Sequence, residues 1–176
     1  MREDIICAGF GGQGIMLLGK VVAQAALDEK KQLTWIPSYG AAMRGGTAFC
    51  MVSISDREIA SPYIDKCDTL FVFNQPSWDK FKSRVKKGGM VFLDSSLIQD
   101  KTAPRQITVR RIPFTQIASS LGNVRVANMV ALGAFLKEKG LIKYKTVLEV
   151  FSKIVPKDKL RLLKINKKAL ERGYNR

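Results

Sequence analysis

Residues 9–14 read Gly-Phe-Gly-Gly-Gln-Gly and follow directly on the apolar run Ile5-Ile6-Cys7-Ala8. After them, Ile15, Leu18, Val22, Ala25 and Ala26 recur at three- and four-residue spacing. A short apolar run, a glycine-rich turn and a helical period form a strand–turn–helix junction. Such a junction commits the chain to an α/β fold, because the helix must return over the face of a sheet to bury its stripe. It also aims backbone N–H groups at whatever lies beyond the strand end, an anion or another chain. Gly9, Gly11 and Gly14 satisfy the G-x-G-x-x-G spacing of a dinucleotide turn, while the doubled Gly11-Gly12 and Gln13 make it an unusual version.

The pattern continues as alternating strands and helices. Strands are expected at Ile5–Ala8, Gln32–Ile36, Thr47–Ile54, Thr69–Phe73, Met90–Leu93 and Ile107–Arg110. Ser55-Asp56-Arg57 reads as a tight turn into Glu58–Ala60, and hence as a hairpin. Helices are expected at Gly14–Asp28, from Pro76 to about Val85, and at Phe114–Leu121, Arg125–Lys139, Tyr144–Ile154 and Asp158–Arg172. Pro37 is expected to open a loop, and Lys86–Gly89 to be a return loop. The fold class is therefore α/β: a Rossmann-like, mostly parallel sheet with helices on both faces and a helical, basic C-terminal part. At 176 residues without repeats or linkers this is one domain, 1–176. Residues 1–112 form the sheet core and 113–176 its helical part.

Several chemistries are excluded by what the chain lacks. It has no histidine, so neither a Ser-His-Asp nor a Cys-His mechanism is available. Cys7, Cys50 and Cys67 form no C-x-x-C pair and read as small buried hydrophobes, not metal or iron–sulfur ligands. A nicotinamide site needs an acid near the end of the second strand. Here that strand ends Trp35-Ile36-Pro37-Ser38. No Gly-Lys-Ser/Thr follows the glycines, so the turn is not a P-loop. With no signal sequence and no run of 18 apolar residues, a cytoplasmic location and no membrane partner are expected.

Charge is the second strong feature. The net charge is +15, and residues 101–176 carry 18 basic against 4 acidic residues. An acidic partner and a solvated lysine-rich surface both account for such an excess. On Asp158–Arg172, Leu160, Leu163, Ala169 and Leu170 form an apolar stripe flanked by lysines and arginines. That stripe has two readings: it docks on a partner chain, or it covers this domain's own sheet. Aromatic residues are not interleaved with the basic ones, which argues against a nucleic-acid partner; a basic Rossmann-like nucleic-acid- or dinucleotide-binding protein stands as the alternative.

Residues 38–46, Ser-Tyr-Gly-Ala-Ala-Met-Arg-Gly-Gly, form a second glycine loop. Arg44 offers a five-donor fork for a carboxylate or phosphate, and Gly45 and Gly46 leave room for close approach. The candidate ligand or partner contacts are Gly9, Gly11, Gly12, Gln13, Gly14, Ser38, Tyr39, Gly40, Arg44, Gly45, Gly46 and Asn74. No residue is expected to be catalytic, and none to bind metal.

Read together, Gly-Phe-Gly-Gly-Gln-Gly, Ser-Tyr-Gly-Ala-Ala-Met-Arg-Gly-Gly-Thr, Ile-Ala-Ser-Pro-Tyr (59–63), Asn-Gln-Pro (74–76) and Arg-Val-Ala-Asn-Met-Val-Ala-Leu-Gly-Ala (125–134) resemble the gamma subunit of 2-oxoacid:ferredoxin oxidoreductases over almost the whole chain. The version of the second loop looks most like the 2-oxoglutarate and branched-chain types. The resemblance implies a subunit, inactive alone, of an enzyme that converts a 2-oxoacid and coenzyme A to acyl-CoA and reduces ferredoxin. It implies alpha, beta and ferredoxin-like delta partner chains. Thiamine diphosphate, Mg2+, 4Fe–4S clusters and coenzyme A belong to the complete enzyme, none of them bound by this chain alone. This chain would complete the assembly, with Arg44 and the N–H groups of residues 11–14 lending part of a coenzyme A or substrate site.

Overall fold

A computed structural model describes residues 1–38, 47–102, 104–154 and 160–176. Six strands form one sheet: β1 (Arg2–Gly9), β2 (Gln32–Ser38), β3 (Ala48–Ser55), β4 (Cys67–Val72), β5 (Val85–Asp94) and β6 (Thr108–Ile112), in the order β2-β3-β1-β4-β5-β6. β1 pairs in parallel with β4, β4 with β5, and β5 with β6, whereas β3 runs antiparallel to both β1 and β2. The sheet is thus mixed, with one reversed strand wedged between β2 and β1. The expected hairpin does not form: after Ser55 the chain leaves the sheet, and residues 58–60 pair with nothing. β3 already has a neighbour on each side, so no edge is left for a returning strand.

Three other boundaries differ from the pattern. β1 begins at Arg2, because its polar start is buried but satisfied. Glu3 accepts a hydrogen bond from the Thr69 hydroxyl (2.6 Å) and pairs with Lys139 (2.8 Å). Asp4 accepts from Ser53 (2.8 Å) and pairs with Lys86 and Arg2 (3.0 Å each). β2 runs through Pro37 to Ser38, which proline permits because β2 is an edge strand with one unpaired side. β5 starts at Val85 and includes residues 86–89, a bulged excursion opposite Cys67–Thr69 in which Gly88 takes φ +77°.

Among the described residues six helices complete the fold: α1 (Ile15–Asp28), α2 (Gln75–Phe81), α3 (Phe114–Ser120), α4 (Ala127–Lys139), α5 (Tyr144–Ile154) and α6 (Leu160–Tyr174). The expected start of α6, Asp158, lies outside the described residues. Short 3-10 turns at Lys82–Arg84 and Val124–Val126 finish α2 and open α4. Both faces are covered, but unequally. On one face Ile5, Cys7, Cys50, Val52, Phe71, Phe73 and Phe92 share one core with five helices, all but α2, of which α5 and α6 pack on α1 and α4. On the other, Ile6, Ala8, Met51, Leu70, Val72, Val91 and Leu93 meet, among the described residues, Trp78 and Phe81 of α2, with Ile64 and Ile98 from loops.

α4 is buried all round from Ala127 to Leu136. Phe135 sets its ring against Phe71 and Phe92 at 5.4 and 5.9 Å between centroids. α6 crosses its other side, where Gly133 and Gly173 make the crossing possible. A Cβ on Gly133 would run into the Leu170 carbonyl, and one on Gly173 into the Val130 carbonyl. Ala169 and Leu170 are fully buried there. Of the α6 stripe, Ala169 and Leu170 are therefore spent on this domain, against α4, while Leu163 lies beside Leu148 and Phe151 of α5.

Candidate functional site

The C-terminal ends of the five parallel strands share one edge of the sheet. The chain leaves β1 toward β2 on one side and enters β4 on the other, so the crevice between β1 and β4 is the topological switch point. Two expected loops meet there. Gly9 ends β1, and a Cβ on it would lie 2.7 Å from Gln13 Oε1 and 2.8 Å from Ile15 Cδ1, so a side chain there would displace Gln13 or Ile15. Gln13 folds back across the crevice. Its Oε1 accepts from the Phe10 N–H (2.7 Å) and from Asn74 Nδ2 (3.3 Å), and its Nε2 donates to the Phe73 carbonyl (3.2 Å). Asn74, buried, turns its own Oδ1 to the Ser77 N–H (2.8 Å) and so caps α2. Gln13 and Asn74 are thus one stitch between the loops after β1 and β4.

Gly14 is the N-cap of α1 and takes φ +73°, a left-handed conformation that glycine adopts without strain. A Cβ there would also strike the Asn128 amide. Asn128, at the start of α4, donates from Nδ2 to the Gly14 carbonyl (3.1 Å), and its buried Oδ1 has no partner among the described residues. No side chain caps α1, and among the described residues the N–H groups of its first turn have no acceptor. Gly11 and Gly12 differ from Gly14: a Cβ on either meets nothing within 4 Å. Gly12 needs its φ of +91°, but Gly11 is neither crowded nor left-handed. Its lack of a side chain makes room for nothing among the described residues.

Beside these glycines lies a cleft of about 300 Å³ lined by Phe10, Gly11, Gly12, Gly14, Ile15, Met16, Leu17 and Ala48. Phe10 is 40% exposed. Ser38 shares this edge, since Ser38, Phe49 and Ala8 lie in one row across β2, β3 and β1. That puts Ser38 about 10 Å from the first glycine loop. Tyr39, Gly40, Arg44, Gly45 and Gly46 lie outside the described residues. Asp94, at the end of β5, is fully buried and engaged by the Thr115 N–H and hydroxyl (2.6 Å to the latter) and the Ser96 N–H.

Sequence reasoning missed two parts of this edge: Gln13 as the link to Asn74, and Asn128 as the support of Gly14. The signal for the second is the asparagine in an otherwise apolar helix start, Val-Ala-Asn-Met.

The comparisons with known proteins agree with this architecture. Residues 4–176 match the model of the family described as pyruvate ferredoxin/flavodoxin oxidoreductase. The chain belongs to that family, as a gamma-subunit-type member of the 2-oxoacid:ferredoxin oxidoreductases. It is 38% identical over 160 residues to the 2-oxoglutarate synthase subunit KorC of Methanocaldococcus jannaschii, covering 89% of this chain and 86% of that one. It is 40% identical over 129 residues to the ketoisovalerate oxidoreductase subunit VorA of Methanothermobacter marburgensis, covering 73% of this chain but 27% of VorA. Among solved structures, the 2-oxoglutarate:ferredoxin oxidoreductase of Magnetococcus marinus, with 2-oxoglutarate, coenzyme A and succinyl-CoA bound, superposes with a TM-score of 0.89 at 27% identity. It covers 99% of this chain, which spans 30% of that one.

The iron–sulfur chemistry of such an enzyme does not fit the thiols of this chain. Cys7 and Cys50 face each other across β1 and β3 on one side of the sheet, and Cys67 lies on the other. All three are buried. Burial pushes the Cys7 thiol well up and Cys67 up to about 12, so neither is a ready thiolate ligand. Among the described residues no helix is long and apolar enough to cross a membrane.

Proposed function

We propose that the chain is the gamma subunit of an enzyme that converts a 2-oxoacid, 2-oxoglutarate or a branched-chain one, to the acyl-CoA. Carbon dioxide leaves, the acyl group bonds to the coenzyme A sulfur, and two electrons pass to ferredoxin. Alpha, beta and ferredoxin-like delta chains hold thiamine diphosphate, Mg2+ and the 4Fe–4S clusters. This chain completes the assembly and lends the switch-point edge to the coenzyme A or substrate site. One observation carries the reading: Gly11 leaves open, at the mouth of an otherwise closely built turn, a space that nothing among the described residues uses. An edge of backbone N–H groups and an apolar cleft suits a ligand phosphate and arm, or a partner's backbone, better than it suits proton transfer.

Purified alone, the chain is expected to be colourless and unable to reduce a viologen dye with any 2-oxoacid and coenzyme A. Activity without partners overturns the reading. In the reconstituted enzyme, comparing 2-oxoglutarate, 2-oxoisovalerate, pyruvate and indolepyruvate by kcat/KM identifies the substrate. Arg44→Ala is expected to raise KM for coenzyme A more than KM for the 2-oxoacid. Equal effects on both point to assembly instead.

A further inference from the structure

On α6 the residues Arg161, Lys164, Lys168 and Arg172, and Arg176 just past its end, recur every three or four positions. This spacing places all five on one face of a helix, a row about 22 Å long. All five are exposed. The chain keeps its turn past α6, with the Asn175 N–H on the Glu171 carbonyl and the Arg176 N–H on the Gly173 carbonyl, so the row runs on to its last member. Beside the row, the turn Leu121-Gly122-Asn123 closes a trough of two adjoining clefts that share Leu121 and Lys168, of about 400 and 540 Å³. Leu121, Leu162 and Ile165 line its first half, and Leu162 is 42% exposed.

This row is electrostatically unfavourable as it stands. Like charges three or four residues apart on a helix repel one another. Arg161 also sits in the first turn, at the positive end of the helix dipole. Among the described residues none of the five has a carboxylate within ion-pair distance, and Glu171 is the one acid lining the trough. Elsewhere the chain does pair its helical lysines: Lys153 with Asp28 at 2.8 Å, and Lys145 with Glu149 at 3.9 Å. Solubility needs no such alignment, since scattered cations supply the same net charge.

From this alignment beside an apolar-walled trough, we infer that the α6 face docks an acidic polypeptide segment of a partner subunit, with carboxylates at helical spacing and an apolar residue set between Leu121 and Leu162. A polypeptide fits better than a nucleic acid, because no aromatic ring lines the trough to stack a base. Tyr174 is occupied elsewhere, against Tyr144 at 4.9 Å. The identity of the partner as a subunit rests on the proposed function; the acidic chemistry of the occupant does not.

The test compares two full-length triple variants of equal charge change: Lys164→Gln/Lys168→Gln/Arg172→Gln in the row, and Lys66→Gln/Lys87→Gln/Lys101→Gln at exposed sites outside it. At about 50 mM salt the row variant should join the co-expressed partner subunits about tenfold more slowly, and the control less than twofold. In a second arm, fluorescence anisotropy follows binding of a 16-residue Glu-rich helical peptide with a central leucine, and of a single-stranded 20-mer DNA. The peptide should bind more tightly than the DNA and lose about tenfold in affinity only with the row variant. Equal losses in the two variants overturn the inference, as does DNA binding that is tighter than peptide binding and depends on the row. If the chain joins no such subunits, the proposed function fails, while the peptide arm still decides the trough.

Discussion

The glycine edge of the sheet and the basic face of α6 are both surfaces offered outward, built on opposite principles. The edge is set by backbone and amides: Gly9, Gly14, Gln13, Asn74 and Asn128 leave one arrangement of the two loops. The α6 face is set by charge, five cations on one row with no internal carboxylate among the described residues. Changes in the first should therefore act sharply and independently of salt. Changes in the second should be graded and salt-dependent, because exposed charges are screened within about 8 Å at physiological ionic strength.

The largest break in this contrast is expected where α6 is anchored. Gly173→Val would push a branched side chain into the Val130 carbonyl and lift α6 from α4. A loss of about 3 kcal/mol or more is expected, because the obstacle is backbone and cannot swing aside. Urea denaturation monitored by circular dichroism measures it. If stability is unchanged, α6 is not held by this crossing and its row of charge has no fixed place.

Next comes Gly14→Ala, which meets both a left-handed backbone and the Asn128 amide. About 2 kcal/mol is expected to be lost, against about 1 kcal/mol for Gly122→Ala, where φ is +85° but the space is open. Equal losses would mean that Asn128 yields freely and does not support the turn. Gln13→Leu should cost about 1–2 kcal/mol by orphaning the Phe73 carbonyl and one Asn74 proton.

These residues also mark where the sequence was legible. The helical period placed α1 and α5 within a residue of their ends, because each carries an uninterrupted apolar stripe bounded by clear stops. The apolar runs located all six strands. The direction of β3 was not legible, since a run of Phe49, Cys50, Met51 and Val52 reads alike in either direction. The polar starts of β1 and β5 were missed for a related reason. Glu3, Asp4 and Lys86 look like loop residues until their partners, Thr69, Lys139, Ser53 and Asp68, are brought from elsewhere in the chain. In the site, glycine spacing announced the turn, but the bond from Gln13 to Asn74 spans 61 positions and has no local signature.

The Asp4 cluster at the opposite end of β1 sharpens the contrast with exposed charge, because it is buried and internally paired. Burial pushes the Asp4 carboxyl up, but hydrogen bonds from Ser53, Lys86 and Arg2 outweigh it and hold the group below the ordinary carboxylate range. A depressed carboxyl contributes stability above its unfolded value, near 4, that is lost as pH falls through its folded value. Stability should therefore hold from about pH 8 to 5 and decline below about 4. Asp4→Asn should lower the plateau and flatten the acid limb. An unchanged acid limb would show that other carboxyls set it. High salt should move this limb less than it moves any binding at the α6 row.

The smallest expected effect on the fold separates a surface made for this chain from one made for something else. Gly11→Ala adds one methyl group where nothing lies within 4 Å and the backbone is not left-handed. Folding stability should change by less than about 0.5 kcal/mol, since alanine also restricts the unfolded chain. If the open space is reserved for a ligand or partner backbone, the reconstituted enzyme should nonetheless assemble more weakly or turn over several-fold more slowly. Gly14→Ala, by contrast, should lower both stability and turnover. The ratio of functional to folding loss, highest at Gly11 and falling toward Gly14, thus reads how closely something approaches from outside. A Gly11→Ala enzyme with wild-type assembly and turnover would mean that nothing comes within a methyl group of this turn, and the role proposed for the edge would fall with it.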